Sequence, residues 1–236
     1  MGIHFKNAQP EAGSIPARSH LLTKQKHMCQ FKSAIVTATL DVLSNPYTDA
    51  HEDLIRLFKL NDTPTPRGEP RFARVEFRPE KVEDMADPDK YILVIDEQRT
   101  PEWFDDKAKE KVTEKLKIII SGMIIKGDAD LLCGGAYILA NDAKVACVKN
   151  ALIHAMLGTS RVGEMRETSR VGTMWGTSQV GTMWETSQVG EMRETSRVGT
   201  MWGTSQVGEM RETSQVGKMW GTSQLGKMRE TSRVGT

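Results

Sequence analysis

Apolar residues in the second half of the chain recur with a period of nine, not the 3.6 of a helix or the two of a simple strand. From Thr159 the sequence runs TSRVGEMRE, TSRVGTMWG, TSQVGTMWE, TSQVGEMRE, TSRVGTMWG, TSQVGEMRE, TSQVGKMWG, TSQLGKMRE and then TSRVGT, without a slip in phase. Self-similarity at a fixed period is the mark of a repeat fold and outranks local propensity. Each unit carries β-branched Thr and Val and a constant Gly, and none shows the i, i+3, i+4, i+7 stripe of an amphipathic helix. Ser160, Val162 and Met165 occupy positions that never become charged in later copies. Ser160 and Val162 are two apart and share one face of a short strand. Gly163 allows a bend, after which Met165 points inward again. Arg161, Glu164, Arg166 and Glu167 exchange freely between copies, as solvent-facing sites do. These features predict a mainly β fold, a β-solenoid with columns of Ser, Val and Met inside.

The Trp/Arg exchange predicts the length of one coil. Stacking every 18 residues places Trp184, Trp202 and Trp220 in one column and Arg193, Arg211 and Arg229 in another. Only the first pair breaks the sorting, with Arg166 heading the Trp column and Trp175 the Arg column. Stacked aromatics gain about 0.5–1.5 kcal/mol per contact, so the expectation is two nonapeptides per coil. Upstream, aliphatics at Leu131, Ile138, Val145, Ile153 and Val162 are spaced from seven to nine, a worn form of the same repeat. The apolar run Ile118–Ile120 with Met123–Ile125 is expected to be its first coil, so that the solenoid spans 118–236.

Ahead of it, Phe104, Ala108, Val112 and Leu116 recur every four residues, predicting a helix over 101–117 with Thr100 as N-cap. A solenoid needs a cover over its open core, and residues 99–117 are placed to be this capping helix. Residues 31–98 read as a small α+β module, with strands at 34–43, 72–78 and 91–95 and a helix at 48–60. About 70 residues make a marginal core alone, so the module is expected to pack on the first coil. Residues 1–30 show no periodicity and read as a disordered extension, with Met28 an alternative start to Met1.

Composition changes this picture little. Net charge is +1 over 236 residues, which excludes strong attraction of the whole chain to nucleic acid or acidic membranes. Three cysteines (Cys29, Cys133, Cys147) without paired spacing argue against a disulfide framework or zinc site. No apolar run is long enough to span a bilayer and the N-terminus lacks a signal-peptide core, so a cytoplasmic protein is expected.

The order His51-Glu52-Asp53-Leu54-Ile55, Arg74-Val75-Glu76-Phe77, Val94-Ile95-Asp96-Glu97-Gln98 and Pro101-Glu102-Trp103-Phe104, followed by solenoid coils, resembles uncharacterised proteins of bacteriophages and gut bacteria. Those carry a small α+β module before pentapeptide-like or nonapeptide coils. The resemblance covers about 32–236 and implies this fold and a phage or prophage setting. It implies no activity.

Candidate chemistry is sparse. His51, Glu52 and Asp53, with Asp96 and Glu97, suggest a metal site, but adjacent helical residues diverge, and acids in a first turn answer the helix dipole. Cys133 and Cys147 fit buried core positions, and His154 is the sole His available to pair with them. Residues 159–236 contain no Asp, which excludes the calcium sites of toxin-type repeats. No phosphate loop or nucleophile elbow occurs, so no catalytic residue, metal or cofactor is expected.

The expectation is a structural or protein-interaction repeat protein. The alternative is a glycan- or nucleic-acid-binding module using Trp184, Trp202, Trp220, Arg193, Arg211 and Arg229 as a ligand face. Ice binding through Thr/Ser ladders fits less well, because Arg or Gln follows each Thr within two residues. A homodimer is expected through the last coil, Thr231, Ser232, Arg233, Val234, Gly235 and Thr236, where strand edges stand open.

Overall fold

The computed structural model describes residues 32–96 and 99–235. The expected extension 1–30, Glu97, Gln98 and Thr236 lie outside the described residues.

Residues 124–235 form a β-solenoid. Its strands, from Ile124–Ile125 to Arg233–Val234, alternate between two parallel seven-stranded sheets. In the regular part each residue pairs with the one 18 positions on: Val162 with Val180 and Met165 with Met183 in one sheet, Val171 with Val189 and Met174 with Met192 in the other. Two nonapeptides therefore make one coil. The worn coils are shorter, as Ile124 pairs with Ile138, Ala129 with Val145 and Val145 with Val162. The interior is a column structure: Ser160 to Ser214 are 0% exposed, and Val162 to Val216 and Met165 to Met210 are 2% or less. Val and Met point inward although three residues apart, because the strand bends at the intervening glycine.

That glycine is required for close approach, not for a positive φ. A Cβ on any glycine of this column, from Gly163 to Gly235, would stand 2.2–2.6 Å from a backbone oxygen of the coil before. The left-handed position is the ninth of the repeat, which the exchange of Glu for Gly had marked only as a variable surface site. Glu167, Glu185, Glu194, Glu212 and Glu230 have φ of 53–57°, matching Gly176, Gly203 and Gly221 at 68–70°. Gly needs no compensation there, whereas Glu does. The Glu185 carboxylate accepts the backbone N–H of Glu167 one coil back, and Glu212 does the same for Glu194.

In the worn coils the inward set differs from the expected one. Leu131 is 55% exposed, and the interior is filled instead by Ala129 and Leu132, which share the Val and Met registers. A register shift after Tyr137 turns Tyr137 and Leu139 inward and Ile138 outward. Ile138 is nonetheless fully buried, because the N-terminal module covers it.

The module is a four-stranded antiparallel sheet with strand order β2-β1-β3-β4, where β1 is Ser33–Val36, β2 Val42–Leu43, β3 Ala73–Pro79 and β4 Tyr91–Ile95. The single strand expected at 34–43 is a hairpin. Leu40 takes φ 59°, and the Thr37 hydroxyl accepts the Asp41 N–H, turning the chain between β1 and β2. Helix α1 (His51–Leu57) is shorter than expected because Lys59 enters the left-handed region at φ 52°. It packs Leu54 on Ile35 and Phe72, on one side of the sheet.

Helix α2 (Asp106–Ser121) lies on the other side. Asp105, not Thr100, caps it, accepting the Ala108 N–H at 2.8 Å. The helix absorbs Ile118–Ile120, expected as strand, because Ile120 extends the Ala108, Val112, Leu116 face by one more turn and is 0% exposed. This face, the sheet residues Val36, Val75 and Phe77, and the outward Ala136, Ile138, Ala155 and Leu157 of the first coils form one apolar cluster. The helix thus covers the flank of the coils, and none of its residues joins the cluster that fills the solenoid interior.

Candidate functional site

The two columns expected to form a ligand face lie at opposite corners of the coil, one at the end of each sheet. In the first, Trp184 and Trp202 stack with ring centroids 5.7 Å apart and planes 11° from parallel, and Trp202 and Trp220 stack at 5.4 Å and 13°. Trp202 therefore has an indole neighbour on each face. Trp202 is 37% exposed and Trp220 50%. Sugars and bases stack on aromatic faces, and both faces of Trp202 are taken by its neighbours.

In the second column the guanidinium groups are interleaved with carboxylates. Arg193 pairs with Glu191 at 2.9 Å, Arg211 with Glu191 at 2.7 Å and Glu209 at 3.1 Å, and Arg229 with Glu209 at 2.5 Å. Trp175 heads the column, and Arg193 lies over its ring at 4.7 Å. Glu191 and Glu209 stand two residues before Arg193 and Arg211, whereas Lys227 stands before Arg229; Glu-Met-Arg at 191–193 and again at 209–211 is the sequence signal for the ladder. The ion pairs hold all three guanidinium groups in place, although with Lys227 in register with Glu209 the column keeps a net positive charge.

Threonine hydroxyls are committed too. Thr186 donates to the Glu167 carbonyl at 3.0 Å, and Thr195, Thr204, Thr213 and Thr231 repeat the bond at 3.0–3.2 Å, each to the turn one coil earlier. An ice-facing array needs hydroxyls free to meet water, and here their protons tie coils together.

At the last coil Thr231, Arg233, Val234 and Gly235 are exposed and Ser232 is half-buried, with Val234 at 38%.

In the module, His51 is 5% exposed. Its Nε2 donates to the Val75 carbonyl at 3.0 Å, while Nδ1 lies 3.0 Å from Asp96 Oδ2. Glu52 and Asp53 face solvent, Asp53 pairing with Arg56 at 2.8 Å. Among the described residues no group of three or more His, Cys, Asp or Glu is placed to hold a metal. Neighbouring Lys32 is 1% exposed and lies 3.7 Å from Asp49. Burial holds the Lys32 ammonium below its ordinary pKa and pushes the Asp49 and Glu76 carboxyls above theirs.

Cys133 is exposed and Cys147 half-buried, so neither occupies the core position expected of it. They fall in register with outward positions because the inward residues on their strands are Leu132, Val145 and Val148. His154 also points outward, toward the module, where burial pushes its pKa down to about 4.

No helix among the described residues is long and apolar enough to cross a membrane. Compared with known proteins, the chain matches no family model, no curated protein and no solved structure.

Proposed function

We propose that this protein is a structural or protein-interaction element, a stiff repeat rod carrying a small α+β module, without catalytic activity. One observation carries the reading: the invariant positions of the nonapeptide are spent on the coil itself. Val and Met fill the interior with the buried Ser, Gly allows close approach, and Thr bonds to the coil before. The positions that vary and could recognise a ligand, Trp and Arg, are stacked or ion-paired among themselves. A bacterial or phage setting and a cytoplasmic location belong to the same proposal and rest on the resemblance and the composition; neighbouring virion, lysis or counter-defence genes would support them. Self-association through the last described coil is included as well, since Met228 and Val234 there are 46% and 38% exposed.

The test is a titration of the protein with xylan, hyaluronate and oligothymidylate, followed by Trp emission. The reading expects no saturable change with any of them, and a lowered thermal midpoint for Trp202→Ala. A saturable emission shift that Trp220→Ala abolishes would overturn it in favour of a ligand face.

A further inference from the structure

The module's sheet ends on β4, and β4 is an edge of an uncommon kind. Its sequence, Tyr91-Ile-Leu-Val-Ile95, holds no charge, proline or bulge, the usual devices that keep an edge from pairing. All five residues pair with β3 in regular antiparallel register. The register also tells which way each amide points. Asp96 donates to the Arg74 carbonyl, so Val94 and Ile92, two and four residues back, also direct their backbone groups toward β3. The N–H and C=O groups of Leu93 and Ile95 therefore face away from the sheet. No strand lies on that side among the described residues. What lies there is a groove of about 860 Å³, lined by Leu93, Val94 and Ile95 on one wall and by Lys109, Glu110, Thr113 and Glu114 of α2 on the other.

An edge strand bordered by a helix, with one apolar wall, one polar wall and two free backbone rungs, has the geometry of strand addition: main-chain bonds give affinity and alternate side chains enter the groove. The helix wall decides the occupant. Lys109 is engaged by Asp106 at 2.9 Å, and Glu114 is shared with Lys117 at 3.5 Å. Glu110, which also lines the groove, has no ion pair among the described residues. Of the three charged residues that α2 places in the groove, two are Glu and one is Lys, so this lining is net negative although the helix as a whole carries more Lys than acid. A second copy of this chain would bring two such acidic walls together, which disfavours self-pairing of β4.

We infer that the groove between β4 and α2 takes an extended segment of a partner protein, with β-branched apolar residues alternating with lysine or arginine, as an added strand against Leu93–Ile95. This rests on the interaction reading above and locates it in the module, away from the coils.

The test is an amide-resolved NMR titration of the full chain with the synthetic peptide Thr-Val-Lys-Val-Lys-Val-Thr, and with the same peptide carrying Glu for Lys. The expected result is saturable shifts and new exchange protection at the Leu93 and Ile95 amides, with the Val94 amide, already bonded to β3, changing little. The basic peptide should bind about tenfold more tightly than the acidic one, the scale of one charge-assisted contact, and Glu110→Lys with Glu114→Lys should reverse that order. Both substitutions lie on the solvent side of α2, and an unchanged far-UV spectrum verifies the fold. Absence of shifts at Leu93 and Ile95 with both peptides would overturn the inference while leaving the rod reading intact. Protection of these two amides in the free protein would also overturn it, by showing the edge already paired; if that protection rises with concentration, the occupant is a second copy.

Discussion

Replacing Gly190 by alanine tests the packing of the coils at its tightest point. The added Cβ would lie 2.5 Å from the Gly172 backbone oxygen of the coil before, a separation real Cβ atoms essentially never show. The obstacle is backbone, so no rotamer change relieves it, and the two coils must part by about half an ångström at that rung. Overpacking of this kind costs about 1–3 kcal/mol. Against it stands a gain of about 0.4–1 kcal/mol, because alanine restricts the unfolded chain. The net expectation is a loss of about 1.3 kcal/mol, roughly a tenfold change in the folding equilibrium. Because each coil touches only its neighbours, the damage is confined to one interface. Urea unfolding followed by far-UV circular dichroism reads the effect as a lowered midpoint at unchanged slope. Gly127→Ala is the control: a Cβ there meets nothing within 4 Å and its φ is ordinary, so that variant should match the parent or slightly exceed it. A Gly190→Ala protein as stable as the parent would refute the close-approach argument.

Val189→Asp should destabilise by several kcal/mol, since Val189 is 1% exposed and an unpaired carboxylate there has no partner, while Gln188→Asp on the outer face should change little; thermal midpoints of the pair check the inward assignment. His154 titrates low in the fold, so the folded protein refuses a proton that the unfolded chain accepts. Its contribution to stability is full above about pH 6.5 and falls by up to about 1.4 kcal/mol per unit as pH drops toward 4. Half-buried Asp49 and buried Glu76, whose pKa values are raised, act in the opposite sense, so the measurement is the difference between the parent and His154→Gln across pH 4–7. That difference should shrink as the pH falls, and a constant difference would show that the imidazole is not the group responsible.

The coil was legible in the sequence because its repeats are nearly perfect: a column that never turns charged in many copies has to be interior. The same redundancy gave the coil length, since Trp and Arg sort only at a spacing of 18. What stayed hidden was whatever depends on contacts between coils. The ninth position looked variable because Glu and Gly share no side-chain property. They share a left-handed backbone, and at Glu185 and Glu212 the carboxylate also bonds to another coil. The ion pairs of the Arg column cannot be read locally, because each carboxylate bridges two coils: Glu191 pairs with Arg193 and Arg211, and Glu209 with Arg211 and Arg229. In the worn coils the small-x-aliphatic pattern misplaced Leu131 and Ile138, as the inward pair is three residues apart on one strand and the module buries an outward residue on the next. The helix lies at 106–121 instead of the expected 101–117, shifted by about a turn at each end for a local reason: Asp105 is the better cap, and three isoleucines are compatible with either strand or helix until Ile120 meets the sheet.

The central claim, that two nonapeptides make one coil stacked in parallel register, is tested most directly by engineered disulfides. In a background with Cys29, Cys133 and Cys147 replaced by serine, Thr182→Cys with Thr200→Cys places two thiols on adjacent rungs. One strand spacing, about 4.8 Å, lies within the Cα separation of about 4.4–6.8 Å that a disulfide tolerates. Thr182→Cys with Glu191→Cys places them on different sheets, roughly 10 Å apart or more. Mild oxidation should cross-link the first pair nearly completely within the monomer and leave the second as free thiols. Cross-linking of the 182–191 pair with the 182–200 pair left reduced would contradict the 18-residue coil.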